Sequence, residues 1–390
     1  MRVDRLVLED FRNYENESVE FASGLNLVTG RNAQGKTNLL EAVYCLGGLG
    51  SPRGPEAGLV RDGAERALLH ADVSHGERLL HVDIEFRPGK GTRALINKTP
   101  VSGTRSLREL MVAVFFGPDE LSLIKGSPDG RRRFVDELVV KLRPMRDSLR
   151  REWERTLKQR NALLKSVPHG GRGDDKVRGT LEIWDESFCR AGAALVAARL
   201  EALRLLVPFA RKRYEEIAGS GRLELAYSSA WLESSLCERA VAVAGDVTEE
   251  EIRNQLRAGL EAVRGRELER GVSLVGPQRD DASIRLAAGG DGAMLDARVY
   301  ASQGDQRTAA LALKFAEHDL LSDALGEQPV LLLDDVFSEL DPSRRAWLAD
   351  SARAMAQTLL SSAEPDSLDA LGIARRIQVS GGKLQVEIVQ

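Results

Sequence analysis

Apolar residues recur along this chain with two periods, and the changes between them mark out its parts. Leu6 and Leu8 alternate with Val7 and Glu9, Val19 and Phe21 follow, and Leu25-Asn26-Leu27-Val28 reads as a strand running into Gly30. Leu39, Leu40, Val43 and Leu46 then recur at helical spacing, which predicts a helix from about Thr37. Leu68 to Val73, Leu80 to Phe86 and Arg93 to Ile96 return to strand text, separated by short polar turns, as in an antiparallel meander. Past Phe116-Gly117-Pro118-Asp119 the pattern is mostly helical to about residue 265, with a bend or break expected at Pro208. Strands are predicted near 272–275, 283–286 and 295–299, a helix over 309–321, strands over 330–333 and 357–361, and a closing hairpin at 377–379 and 384–389.

The first strand-to-helix junction carries chemistry. Gly30-Arg31-Asn32-Ala33-Gln34-Gly35-Lys36-Thr37 is a complete Gly-x-x-x-x-Gly-Lys-Thr phosphate-binding loop between a strand and a helix. The glycines let the backbone approach a polyphosphate, and consecutive amides at the helix start hold the anion. Lys36 reaches the β- and γ-phosphates, and Thr37 is placed to ligate Mg²⁺, so ATP with Mg²⁺ is the expected ligand.

A second junction complements the first. Val330 to Leu333 is an apolar run of strand length that ends in Asp334 and Asp335. In a parallel sheet this strand is expected beside the phosphate-loop strand, its C-terminal end facing the nucleotide. Asp334 then holds the metal, and Asp335 is the base that orients a water. Ser302-Gln303-Gly304 precedes a strong helix. By itself it is an ordinary cap, with a hydroxyl and amides pointing out of a helix start. Phe11-Arg12-Asn13-Tyr14, on pattern alone, is a turn with aromatic anchors.

Composition narrows the partners. The 390 residues exceed one small core and suggest about two domains. The net charge of −4 leaves any nucleic-acid partner to local basic patches. Two such patches stand out: Arg131-Arg132-Arg133, and the run from Arg143 to Arg160, where Arg151, Arg155 and Lys158 share one helical face. Both an anion partner and a plain solvated helix fit that face. Cys45, Cys189 and Cys237 make neither a metal pattern nor a disulfide framework, and no apolar run is long enough to span a bilayer, so the expected address is the cytoplasm.

Taken in order, the phosphate loop, Ser302-Gln303-Gly304, the Leu331 to Asp335 strand and Ser338-Glu339-Leu340-Asp341 resemble an ABC-type ATPase head. Gly35 to Ala42, Lys125-Gly126-Ser127-Pro128, Gly276-Pro277-Gln278-Arg279-Asp280-Asp281 and Gln306-Arg307-Thr308-Ala309 sharpen this to a resemblance to the RecF family of bacterial recombination mediators, over nearly the whole chain. The resemblance implies an α/β fold: an ABC-type P-loop head with mixed sheet, formed by residues 1–115 and 270–390, and an inserted mostly α-helical arm over 116–269. It implies ATP-dependent homodimers on single- and double-stranded DNA, help in loading recombinase at single-strand gaps, and RecR and RecO as partners. It makes Arg12 and Asn13 candidate nucleotide contacts, and it makes Ser302, Gln303, Gly304 and Asp341 contacts at a nucleotide shared between two copies.

Two departures from the ABC pattern bear on rate. Asp305 follows the signature glycine where Gln or Glu is usual, and Asp335 stands where many ABC ATPases have Glu. Ser362, Ala363 and Glu364 follow the 357–361 strand without the usual switch histidine, so slow hydrolysis is expected. Other classes fit less well. A GTPase needs an Asn-Lys-x-Asp motif that is missing, and a small-molecule kinase has no need of the Ser-Gln-Gly turn. A transporter ATPase leaves the basic insert without a purpose. An SMC-type chromosome organiser needs long heptad coiled coils, whereas this insert is short and interrupted by Pro144, Pro168 and Pro208.

Overall fold

The computed structural model describes residues 1–166, 175–242, 247–287, 292–337, 340–363 and 372–387. The glycine-rich stretch beginning at His169, the Ser338-Glu339 pair and Glu364 lie outside the described residues. The chain folds into two compact units, residues 1–120 with 314–390, and residues 121–313.

The first unit contains two six-stranded sheets. One is antiparallel throughout, in the order Tyr14–Glu20, Arg2–Phe11, Ala67–His75, Arg78–Arg87, Gly91–Ile96, Thr99–Val101. Leu6, Leu8, Leu69, Val73, Val82 and Ile84 are buried on its inner face. His70 faces Asp83 and His81 faces Asp72 across two of its strands, as the period of two requires.

The other sheet runs Lys383–Glu387, Arg375–Ser380, Gly24–Thr29, Gln357–Ser362, Val330–Asp334, Ala113–Phe116. Its neighbours are parallel except for the closing hairpin of Arg375–Ser380 with Lys383–Glu387. Here one expectation is corrected: the strand ending in Asp334 is not beside the phosphate-loop strand, because Gln357–Ser362 pairs with both and separates them. Val330 to Leu333 are fully buried, which is why this run is continuously apolar instead of alternating. The helix Lys36–Cys45 packs on this sheet, and its Leu39, Leu40 and Val43 join a core that also takes in the antiparallel sheet.

The second unit is mainly helical, built on Pro128–Leu142, Asp147–Ser166, Asp175–Ala218 and Glu249–Arg270. Pro208 lies inside Asp175–Ala218 without breaking it. A three-stranded antiparallel sheet orders Leu295–Asp296, Asp281–Ala287 and Arg222–Ser228. The pairing of Asp281–Ala287 with Arg222–Ser228 draws the chain after residue 270 into this unit. The compact division therefore falls at 313/314, where the sequence pointed to 269/270. The strand expected over 295–299 is also revised, since Ala297–Tyr300 is a short helix.

Charge holds these helices together. Arg160 is 1% exposed and donates to Asp185 Oδ1 at 2.8 Å, Ser273 Oγ at 2.7 Å and Glu267 Oε2 at 2.7 Å. Its guanidinium also lies 4.9 Å from the Phe188 ring centroid. Arg199 forks onto Asp136 at 2.7 and 2.9 Å and donates to the Pro277 carbonyl at 2.8 Å. Next along the chain, buried Asp280 accepts from Tyr227 Oη at 2.7 Å and Trp231 Nε1 at 2.9 Å. Desolvation pushes its carboxyl up to about 6, against these donors and Arg199. Trp153 and Leu256 close tightly on the long helix at Gly192, where a Cβ would lie 2.6 Å from the Leu256 methyl and 3.0 Å from the Trp153 ring, so a larger residue would require them to shift.

Removing Arg160 leaves buried Glu267 without its cation and Asp185 with Arg264 alone. We expect Arg160→Ala to cost about 3–5 kcal/mol, read as a lower urea midpoint. Asp280 predicts a pH effect. Its folded pKa lies above the unfolded value, so its stabilising contribution is full below about pH 4 and is lost as pH rises through about 6. The stability gap between the natural chain and Asp280→Asn, from denaturant titrations at pH 4.5 and 7.5, should be wider at the lower pH.

Candidate nucleotide-binding site

The phosphate loop bridges Gly24–Thr29 and the helix Lys36–Cys45. Its backbone enters the left-handed half of conformational space at Gly30 (φ 148°), Ala33 (φ 62°) and Gly35 (φ 121°). A Cβ on Gly30 would meet the Val379 carbonyl at 2.3 Å, and one on Gly35 would meet Asn13 Nδ2 at 2.6 Å. Both glycines are therefore required sterically as well as conformationally.

Neighbouring segments brace this loop. Asn13 Nδ2 donates to the Gln34 carbonyl at 2.8 Å, and Tyr14 Oη donates to the Gly35 carbonyl at 2.9 Å. From the closing hairpin, the Gly381 amide donates to Gln34 Oε1 at 2.6 Å and the Gly382 amide to the Gln34 carbonyl at 3.3 Å. Arg12 works from behind: it forks onto fully buried Glu41 at 2.8 and 2.7 Å, tying its turn to the helix. Arg31, Asn32 and Ala33 are exposed at the loop's rim.

Four side chains converge on the loop's end. Lys36 Nζ lies 2.9 Å from the Gly30 carbonyl and 3.2 Å from that of Arg31. Burial lowers the Lys36 pKa, while the charges of Asp335 and Asp334 oppose the shift. Thr37 Oγ1 stands 2.9 and 2.8 Å from the two carboxylate oxygens of Asp334. Ser361, on the strand between them, donates to Asp334 Oδ1 at 2.6 Å and accepts from the Asp335 amide at 3.0 Å. Asp335 itself sits at φ 50°, a conformation that Asp and Asn tolerate and most residues do not. The arrangement offers a backbone cradle with a cation for a polyphosphate and, beyond it, hard oxygens followed by a second carboxylate.

The match to known proteins is extensive. The family described as RecF/RecN/SMC N terminal domain matches residues 2–371. The DNA replication and repair protein RecF of Streptomyces avermitilis is 42% identical, with 99% of this chain and 100% of that one covered. The protein of the same name from Acidothermus cellulolyticus is 40% identical over 99% and 100%. The chain belongs to the RecF family. A solved RecF structure with ATP, from the RecFOR pathway, superposes with TM-score 0.84 at 28% identity over 99% of both chains. An Smc head from Pyrococcus furiosus shares the fold alone, with TM-score 0.53 at 13% identity, covering 100% of this chain and 96% of that one. The fold is thus that of an ABC-type ATPase head with mixed sheets and a large helical part. Among the described residues no helix is long and apolar enough to cross a membrane.

The Ser302-Gln303-Gly304 turn belongs to the second unit. The helix Gln303–Leu325 begins there, and the Ser302 hydroxyl donates to Asp305 Oδ2 at 2.7 Å while accepting from the Asp305 amide at 3.2 Å. Asp305 thus clasps the cap. Asp341 caps Pro342–Arg353, accepting from the Ser343 hydroxyl at 2.6 Å and from the amides of Ser343 and Arg344 at 3.1 Å each; the hydroxyl first, then the Arg344 amide, lower its pKa to about 2.

The DNA candidates divide by burial. Arg131 is buried and forks onto Asp281 at 2.7 and 2.8 Å, and half-buried Arg132 donates to the Asp280 carbonyl and to Asp129. Both have donors engaged within the fold. Arg133, Arg151, Arg155 and Lys158 are exposed. Arg133 pairs with Glu137 and Arg151 with Asp147, while Arg155 and Lys158 have no ion-pair partner among the described residues. Sequence reasoning missed Ser361 and the Gly381-Gly382 brace.

Gly35→Ala should lower stability by about 1–3 kcal/mol in denaturant titration, through positive φ and the collision with Asn13.

Proposed function

We propose that this chain is an ATP-dependent DNA-binding protein of recombinational repair and replication restart. ATP joins two copies into a clamp on DNA that helps load recombinase at single-strand gaps, and slow, DNA-stimulated hydrolysis releases them. Required partners are single- and double-stranded DNA, gapped DNA, RecR and RecO, and the role extends to SOS induction, all in the cytoplasm. The observation that carries this reading is the convergence of Lys36, Thr37, Asp334 and Asp335 at the phosphate loop. It is supported by the names of the RecF relatives and by the ATP-bound RecF neighbour from the RecFOR pathway.

The residues fit the ligands. Gly30 to Thr37 cradle the phosphates of ATP with backbone amides, and Lys36 supplies a charge-assisted contact to them. Mg²⁺ fits the oxygens of Thr37 and Asp334. No group of three or more His, Cys, Asp or Glu side chains able to hold a metal occurs among the described residues, which suits an ion held by few protein oxygens plus substrate phosphates. Bound there, the ion would neutralise phosphate charge. Asp335 orients the attacking water. Its side chain is one methylene shorter than the usual Glu, which favours slow turnover. Arg12 and Asn13 are nucleotide contacts on the family resemblance, and Asn13 also braces Gln34. Ser302, Gln303 and Gly304 complete the site from the opposite copy, and Asp341 is a further nucleotide contact.

Three variants test the shared site together. Lys36→Ala should weaken ATP binding by about tenfold or more in calorimetry. Ser302→Arg should keep the monomer's ATP affinity and lose ATP-induced dimers in light scattering. Asp335→Asn should bind ATP and form dimers that persist. If Ser302→Arg loses ATP affinity as severely as Lys36→Ala while still dimerising, the shared-site reading is wrong.

The exposed face of Asp147–Ser166 gives a separate prediction. Converting Arg151, Arg155 and Lys158 to Glu should weaken DNA binding and flatten its dependence on salt, because fewer phosphate contacts release fewer counterions. An unchanged slope of log affinity against log salt assigns that face to solvent.

A further inference from the structure

We propose that Val299 and Tyr300, just ahead of the signature turn, are apolar anchors of the ATP-dependent dimer and dock on a second copy of this chain. This rests on the reading of Ser302-Gln303-Gly304 as an element shared between copies.

Large apolar side chains are concentrated and exposed here. Leu295 is 47% exposed, and Val299 and Tyr300 are 67% exposed each. Single exposed apolar residues are ordinary, but three within six positions of one short segment are a concentration of the kind found at interaction surfaces. The backbone beneath them is held firmly. Asp296 caps the helix Ala297–Tyr300 by accepting from the Arg298 amide at 2.8 Å, and Ala297 is buried. Gln306, itself 4% exposed, donates its side-chain amide to the carbonyls of Ala297 at 3.1 Å and Ala301 at 3.0 Å. Gln306 lies on the signature helix, so the patch and the signature are one rigid piece.

That rigidity decides the occupant. Tyr300 and Ser302 are two residues apart, so their Cα atoms can be separated by no more than about 7.6 Å. A body that covers Ser302 on a shared nucleotide therefore comes within a side chain's length of Tyr300. Tyr300 alone would serve equally to stack a DNA base. Val299 beside it gains nothing from a phosphate and little from a base, but it gains from burial against protein. Continuity with the signature surface and the paired valine both favour the second copy.

The test uses the full chain carrying Val299→Asp with Tyr300→Ala, alongside the natural chain, Tyr300→Phe and Ser302→Arg. Dimer fraction is measured by light scattering across protein concentrations with ATP, and DNA affinity by anisotropy without nucleotide. We expect the double variant to need about tenfold or more protein to dimerise, with its DNA affinity unchanged, and Tyr300→Phe to match the natural chain. If Ser302→Arg abolishes dimers while the double variant dimerises normally, the anchor proposal is overturned and the shared signature stands. If the natural chain forms no dimers with ATP, the shared-site reading fails and takes the proposal with it. Loss of DNA affinity with normal dimerisation overturns the proposal in favour of a DNA contact.

Discussion

Thr37 and Asp334 come from distant parts of the chain, and their oxygens meet only because three parallel strands keep one register. Asp334 is level with Ser361, and Ser361 with Val28, so a single row of paired residues crosses from one carboxylate to the strand that feeds the phosphate loop. A slip of one residue in either pairing would turn Asp334 or Ser361 to the opposite face of the sheet. Full burial of Val330 to Leu333 and of Leu359 and Leu360 fixes the sheet in place, and the polar groups at its end inherit that precision. Ser361 then does locally what the register does globally: it holds the Asp334 side chain and the Asp335 backbone at once.

The helical unit meets a different demand. Its segments are rich in charge, and several of those charges are inside. Arg160, Arg199 and Arg131 each take carboxylates from distant segments, and Asp280 is met by a tyrosine and an indole. Such groups are costly to desolvate, and they tolerate few alternative partners. The segment from Gly276 to Asp281 gathers three of these contacts within six residues: the Pro277 carbonyl for Arg199, Asp280 for Tyr227 and Trp231, and Asp281 for Arg131. It acts as the knot of this unit.

The phosphate loop, the carboxylate-ending strand, the meander and the closing hairpin were all legible in the sequence, because glycine spacing and unbroken apolar runs are local signals. Strand order was not. Nothing within Val330 to Asp334 specifies its neighbour, so Gln357–Ser362 came between two strands expected to touch. Arg160 reads as one more member of a basic run, since its partners at 185, 267 and 273 are remote and burial leaves no mark on a charged residue. The helix at Ala297–Tyr300 has strand-like composition and is set by Gln306, a tertiary contact. Arg222–Ser228 was hidden between helical stretches and exists as a strand because Asp281–Ala287 pairs with it.

The bond between Gln34 and the Gly381-Gly382 turn bears on how the protein is made. A ribosome releases the phosphate loop early, yet Asp334, Ser361 and the glycine brace emerge hundreds of residues later. Until residue 382 has left the exit tunnel, the nascent chain has the residues of its cradle without the walls that shape it. Nucleotide therefore cannot act as an early folding template for this head, and residues 121–313 are synthesised before the phosphate loop has all its braces.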